Sequence, residues 1–455
     1  MARHAPNTLL SALLVEADWT SGGLARAVNA LGAAQGLTLR YDRTSVAHWL
    51  SGSRPRPPVP ELVASAFTRR VRRVITAEDT GLIQAAQASR QFPHAPASGG
   101  DALRRLTALC RTDADPAHRA VLARTTAYTL TALTPPAWTP RPQPPALPPG
   151  PEGQATSADA LALQSMTETF ASLAERHGGA HIRSALTAYL AEGAGRLLTA
   201  PAPHSLHRDL LTGTVQLTHL LAGMTDDSGH HSLAQQYFHT ALHLAQEAGN
   251  RRLYAVTLRA MSTQALNLGH PDHALSLADT AVDAAGADAG SATQAFLLSQ
   301  RAHVYARQRQ PRRALADLTA AERHHEQASS PPGPFTAYPL AGLDYQRAQV
   351  LRALDDPSQA LSALSASARH RAPTQRRAHI LTQARLAETL LSMGHLEASC
   401  VHWNAFLDQY PHLHSQQADR ALVHLHEGLS RFPRQPLAIA VRKRALALKR
   451  PLPKP

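Results

Sequence analysis

One short stretch near the N-terminus carries side chains suited to reading a polyanion. In Asp42-Arg43-Thr44-Ser45-Val46-Ala47-His48-Trp49-Leu50, Val46 and Trp49 fall on one side of a helix. Arg43, Thr44, Ser45, Ala47 and His48 then occupy the exposed side. Short hydroxyls, one methyl and two longer donors suit base edges in the major groove of double-stranded DNA. Arg54 and Arg56 follow the helix, and Arg26 lies on the helix before it. Guanidiniums at such places suit phosphates, which position a protein without reading sequence.

Other chemistry finds little support in the sequence. His239, His243 and Glu247 share one helix face, but no fourth metal ligand accompanies them and no His-Glu-x-x-His motif occurs. The face reads as solvated, and no metal is expected. Gly-rich phosphate loops and G-x-S-x-G elbows are absent. Cys110 and Cys400 have no basic neighbourhood that would mark a nucleophile. We therefore expect no enzyme, no catalytic residues and no cofactor.

The elements that must position the basic face are helical. Thr8–Ala17 reads as a first helix, and Ser21 caps a second through Leu24, Ala25, Val28 and Leu31. Asp42 caps the third, Arg43–Leu50, which Gly52 and Pro55 end. The connection Asn29–Tyr41 is longer than the 3–4 residues usual in a helix-turn-helix. Either the second helix is extended or a loop is inserted. Further helices are expected near Glu61–Val71, Ala77–Gln91, Ala102–Cys110 and Ala117–Leu133. Thr134–Gly153 then holds nine prolines in twenty residues, the composition of a semi-rigid extended spacer. At about 3.1 Å per residue it could hold the head far from the rest.

Beyond the spacer one pattern repeats. Ala234, Ala274, Ala314, Ala360 and Ser399 each follow a small residue twelve positions earlier: Ala222, Ser262, Ala302, Ala348 and Ala387. Seven positions later stand Ala241, Ala281, Ala321, Ser367 and Phe406. Small residues at fixed places let two antiparallel helices approach closely, as in tetratricopeptide repeats. The reading is all-α: a helix-turn-helix module (1–75), a helical extension (76–133), a Pro-rich linker (134–156), a tetratricopeptide-like superhelix (157–450) and a basic tail (451–455). The register turns Arg259, Thr263, Asn267, His303, Arg307, Gln349, Arg352 and Glu388 into the superhelical groove. Arginines and amides there could hold the backbone or carboxylate of a peptide or protein ligand.

Charge is segregated along the chain. Residues 1–75 carry ten Arg and four acids, and residues 430–455 carry eight Arg and Lys and no acid. The 28 Arg and 29 acids of 76–429 nearly cancel. A basic end on a neutral body points to a polyanion touched locally. The two distant cysteines suggest no disulfide framework. No apolar run is long enough to span a membrane, and no cleavable leader precedes Glu16 and Asp18. A cytoplasmic location without membrane contact is expected.

Leu24–Pro58 resembles the N-terminal helix-turn-helix of actinomycete (Streptomyces-type) transcriptional regulators. The resemblance extends to Val59–Leu82, notably Thr76–Leu82, and to Gly178–Leu190 and Leu221–His270, with Ser232–Phe238 and Leu268-Gly269-His270-Pro271 most alike. It implies a cytosolic regulator with a DNA-binding head on a tetratricopeptide body that senses a peptide or protein or mediates dimerisation. Operator binding by two heads about 34 Å apart would call for a homodimer. The alternative is a scaffold that binds no DNA and regulates through protein contacts.

Overall fold

The computed structural model describes residues 6–34, 37–56, 58–71, 75, 77, 79–82, 101–115, 128–139, 154–286, 289–329 and 333–448. Among them the chain is all-helical, with no strand. The head comprises α1 (Thr8–Glu16), α2 (Ser21–Ala34), α3 (Arg43–Leu50) and α4 (Val59–Val71). Its core is Leu10, Leu13, Leu24, Val28, Val46, Trp49, Leu62, Val63 and Phe67 with Ile75 and Leu82. The third helix spans the expected residues. Helix α4 begins two residues before the expected Glu61, because Pro60 is tolerated in a first turn where no helical N–H is needed.

The extension differs from expectation. Helix α5 (Asp101–Ala114) runs past Cys110. Ala77 and residues 79–82 form a turn or its end rather than a helix, and residues 78 and 83–91 of the helix expected over Ala77–Gln91 lie outside the described residues. Of Ala117–Leu133, only Thr131–Leu133 is helical among the described residues, as a single 3-10 turn. Residues 116–127, 140–153 and the tail 451–455 also lie outside them.

The body opens with α6 (Ser157–His177), α7 (Gly179–Tyr189), a π-helical turn Leu190–Ala194 and α8 (Gly195–Thr199). Six antiparallel pairs follow: α9 (His204–Asp227) with α10 (His231–Glu247), α11 (Arg251–Asn267) with α12 (Pro271–Ala285), α13 (Ser291–Arg307) with α14 (Pro311–Glu326), α15 (Leu340–Ala353) with α16 (Pro357–His370), α17 (Arg376–Ser392) with α18 (Leu396–Gln409), and α19 (Gln416–Leu429) with α20 (Pro436–Ala447). The sixth pair keeps buried Ala438 and Ala445, but His426 stands twelve positions before Ala438 where the others have a small residue, so the sequence pattern shows five.

The markers sit where the helices cross. Ala222, Ser262, Ala302, Ala348 and Ala387 are fully buried, and so are Ala234, Ala274, Ala314, Ala360 and Ser399. Where serine replaces alanine, its hydroxyl is satisfied across the pair. Ser262 Oγ donates to the Ala274 carbonyl and Ser399 Oγ to the Ala387 carbonyl, each at 2.8 Å. A buried hydroxyl with a partner avoids the cost of an unmet hydrogen bond.

The turns share one geometry. Gly229, Gly269, Arg309, Asp355 and Gly394 all adopt positive φ, from 58° to 89°. The next amide in each case returns to a carbonyl five residues back, as in His270 N to Ala265 O at 2.9 Å and Gln310 N to Tyr305 O at 2.9 Å. That is a Schellman closure, which favours glycine at its left-handed residue. Arg309 and Asp355 depart from it and pair with each other across adjacent turns. Both are largely exposed, so the pair repays little of the backbone strain.

Two outcomes test this register by urea denaturation. Leu at Ala274 or Ala314 should cost about 1–3 kcal/mol through overpacking. Arg309→Gly should instead raise stability by about 1 kcal/mol, because it relieves a left-handed side-chain residue. Equal midpoints for all three variants and the parent would reject the shared turn and crossing geometry.

Candidate functional site

Helix α3 is locked from below and free above. Asp42 Oδ1 accepts from Ser45 N and Ser45 Oγ, both at 2.8 Å, and Asp42 N donates back to Ser45 Oγ at 3.4 Å. This capping box fixes the first turn. The amide and hydroxyl of Ser45 hold the Asp42 carboxyl below its ordinary range. Trp49 is buried and meets the Tyr41 ring edge-on at 5.1 Å. The long connection packs as well. Asn29 Nδ2 donates to the Tyr41 carbonyl at 2.8 Å, and Tyr41 N donates to Asn29 Oδ1 at 2.9 Å. Leu39 lies over Gly32, where a Cβ would collide with it. An extended α2 and an ordered extended return together account for the length.

Arg43, Thr44, Ala47 and His48 are exposed on α3, and Arg26, Arg54 and Arg56 are exposed around it. Ser45 is half-buried, with its hydroxyl proton engaged by Asp42. The structure therefore gathers seven of the eight head residues on an open surface and commits the eighth to the cap.

The superhelix closes on itself. Asp227, at the end of α9 and 5% exposed, accepts from Arg377 Nε and Nη2 at 3.1 Å each. It also accepts from Ser415 Oγ at 2.7 Å and Gly179 N at 3.2 Å. His414 N donates to the His177 carbonyl at 2.7 Å, and Arg420 Nη2 meets His231 Nε2 at 3.1 Å. These bonds join residues 177–231 to 377–420, so the last helix pairs meet the first. Gly178 has φ 84° and lies against the His414 backbone, where a Cβ has no room. At the seam a cavity of about 10 Å3 is lined by Asp226, Gln264, Asn267 and Arg420 among others, which is room for about one water.

Inside the ring, most of the groove residues expected from the register converge. Arg352 Nη2 and Arg385 Nη1 hold one oxygen of Glu388 at 3.0 and 2.7 Å, and His424 Nδ1 meets the other at 3.0 Å. Burial opposes the charge of Glu388, but Arg385, His424 and Arg352 together hold its carboxyl well below the ordinary range. Gln349 Oε1 accepts from Arg352 at 3.4 Å. His303 sits among Arg307, Arg385, Arg259 and Arg352; burial first, then those guanidiniums, push its pKa down to about 3. Arg259 donates Nε to the Phe296 carbonyl at 2.8 Å, with its guanidinium 3.5 Å from the centre of the Phe296 ring. Burial lowers it to about 10. Thr263 donates to Arg259 O of its own helix, and Asn267 is drawn to the seam cavity rather than the arginine cluster. The sequence reading missed Arg385 and His424. Arg385 lies three residues before Glu388, one turn away on the same helix, and that spacing was its available signal.

The outer face of α10 is also occupied. Residues 128–139 lie along α10 and α11, with Trp138 edge-on to Tyr254 at 5.1 Å. Gln235 bonds both the amide and the carbonyl of Thr129, at 3.1 and 2.9 Å. His239 meets the Ala132 carbonyl, Tyr254 OH the Pro136 carbonyl, and Gln246 the Ala137 carbonyl. The face read as solvated at His239 is thus covered: His239 is buried against this strap. The first residues of the Pro-rich segment are extended as expected, but they are docked rather than spanning free space. Helix α5 is fastened to the same body through Asp113, which pairs with Arg183 and accepts from Tyr237 OH at 2.9 Å.

A family model described as the SP15 N-terminal domain matches residues 10–83. That span coincides with the core of the head, from Leu10 to Leu82. No curated protein matches the chain. Among solved structures, the crystal structure of the APC/C hetero-tetramer Cut9-Hcn1 is similar at a TM-score of 0.35 and 14% identity. That match covers 96% of this chain and 72% of the other. No described helix is long and apolar enough to cross a membrane.

The seam yields a direct prediction. Asp227→Ala removes the main partner of the half-buried Arg377, which should cost about 2–3 kcal/mol. It should also raise the radius of gyration in small-angle scattering as the ring opens. A variant as compact and as stable as the parent would show that Asp227 does not hold the ring.

Proposed function

We propose that this protein is a DNA-binding transcriptional regulator whose closed superhelix receives a peptide or protein partner. One observation carries the first half: the open surface of Arg43, Thr44, Ala47 and His48 on a capped helix, flanked by Arg26, Arg54 and Arg56. Its underside is fixed by buried Val46 and Trp49, so the outward groups are presented on a rigid support. The resemblance of Leu24–Pro58 to regulator helix-turn-helix modules supports the same reading. Bases would be read by α3, and phosphates would be held by the arginines after it. Paired-helix repeats bind partners on their concave faces, and the arginine-lined interior offers such a surface. In this reading the protein is not an enzyme, acts in the cytoplasm and binds an operator as a homodimer.

The scaffold reading has its own support in the docked strap and α5, which tie residues 101–115 and 128–139 to the body. The basic head favours the first reading, since a scaffold has no use for guanidiniums clustered around one helix.

Fluorescence anisotropy with the full chain and genomic fragments tests the proposal. Replacing Arg54 and Arg56 together with Ala should weaken binding to every sequence and lower the salt slope by about 2. Replacing Thr44 or His48 should instead reduce discrimination by roughly 1–3 kcal/mol per lost base contact. Ser45→Ala should act mainly on helix stability, since its hydroxyl belongs to the cap. Unchanged DNA binding in the first three variants would remove α3 as the reader and favour the scaffold.

A further inference from the structure

The arginines around His303 outnumber the carboxylates available to them. Four guanidiniums, from Arg307, Arg385, Arg259 and Arg352, act on His303. One carboxylate, Glu388, stands among them and is shared by Arg352 and Arg385. Arg259 spends itself on the Phe296 carbonyl and ring. Arg307 is exposed and has no carboxylate partner among the described residues. The acids of the ring are used elsewhere: Asp227 closes the seam and Asp226 holds His231.

A concave cluster with an excess of positive charge favours an anion, because the fields of its guanidiniums add where they face one another. Glu388 shows the form of anion that fits: a carboxylate held between guanidiniums of two adjacent repeats at 2.7 and 3.0 Å. The half-buried amides of Gln346 and Gln349 stand on α15, six and three residues before Arg352. Gln346 Nε2 donates to Gln300 and Gln349 Oε1 accepts from Arg352, which leaves the Gln346 carbonyl as acceptor and the Gln349 Nε2 as donor for a peptide backbone. Carboxylates beside backbone-type amide partners fit a peptide better than an isolated phosphate.

We propose that the interior of the ring is a receptor site for an acidic peptide, which seats a carboxylate on Arg307 beside His303 and lays its backbone against Gln346 and Gln349. This rests on the reading of the ring as a partner-binding body and gives that partner its chemistry. The peptide would supply the negative charge that Glu388 supplies two repeats further along.

Isothermal titration of the full-length protein tests it, with hexaglutamate, hexaglutamine, tripolyphosphate and a DNA duplex as probes at two salt concentrations. Hexaglutamate should bind saturably, one per chain, and hexaglutamine should not bind. Arg307→Gln should weaken hexaglutamate about tenfold, roughly the worth of one charge-assisted bond. Arg307→Lys should recover part of that loss. Arg431→Gln, an exposed arginine on the turn before α20, should change nothing and so excludes general attraction to a basic chain. Circular dichroism of each variant reports that the fold is retained. The proposal falls if hexaglutamine binds as well as hexaglutamate, or if Arg431→Gln weakens binding as much as Arg307→Gln. It also falls if tripolyphosphate or the duplex takes the site in preference, with the same dependence on Arg307. DNA binding through Arg54 and Arg56 is read separately, so losing one result leaves the other standing.

Discussion

The body depends on the burial of Asp227. Its carboxylate is almost wholly removed from water yet receives hydrogen bonds from Arg377, Ser415 and Gly179. These donors come from positions 48 to 188 residues away along the chain. A buried carboxylate is tolerated only when charge and lone pairs are both met, and this one is met by groups that come together only in the closed ring. A repeat array is ordinarily a one-dimensional stack in which each unit touches its neighbours alone. Closure changes that, because the first and last pairs become neighbours too. Opening at the seam would strand Asp227 and Arg377 together, so the seam resists partial opening.

Closure also sets what the interior can do. The steric fit at the seam is narrow: Gly178 lies where no side chain fits beside His414, and Gly229 meets Gln416. With the ends joined there, helices α13, α15 and α17 face a common interior, and Arg352 and Arg385 from neighbouring repeats share Glu388. Outside the ring, the strap at 128–139 is held chiefly through its backbone, by Gln235, His239, Gln246 and Tyr254, with Trp138 against Tyr254. Backbone recognition suits a proline-containing segment, whose carbonyls accept although its prolines cannot donate. The segment leading from the head is therefore fastened to the body well before its last proline.

Much of the architecture was legible in the sequence, for physical reasons that name the limits too. Ala234, Ala274 and Ala314 announce helix crossings because only small side chains fit there, and that constraint is local. Asp42 announces the start of α3 because a cap is a four-residue interaction. Even the unusual turns at Arg309 and Asp355 fall into register once the crossings are known. The closure was not legible. It arises from small rotations summed over six pairs, and nothing in Asp227 or Arg377 alone shows that they meet 150 residues apart. The strap was half legible: its prolines dictate an extended backbone but say nothing of which surface it follows. His239 was misread for the same reason, since its helix face looks solvated until a distant segment covers it. In the groove, the repeat register placed Arg352 and Glu388 together because neighbouring repeats stack in a fixed tier. It placed Asn267 less well, because the seam draws that end of α11 away from the interior cluster.

Net charge conceals this arrangement. Between residues 76 and 429 arginines and acids nearly balance, which suggests an electrically bland body. The balance is achieved by segregation rather than by mixing. Asp227 is consumed at the seam, Asp226 by His231, Asp113 by Arg183, and Asp279 and Asp317 by Arg301. Each serves packing between helices, where an unpaired guanidinium would be costly to bury. What remains around His303 is an uncancelled set of arginines on a concave surface. Charges summed along a chain predict the far field, whereas a ligand inside a groove meets only the few groups that structural pairing has left over. The same contrast separates the two basic regions of this protein. The head carries its arginines on and around an open helix face, where salt screens them. The ring keeps Arg259, Arg352 and Arg385 half-buried, where screening is weaker, and leaves Arg307 exposed beside them.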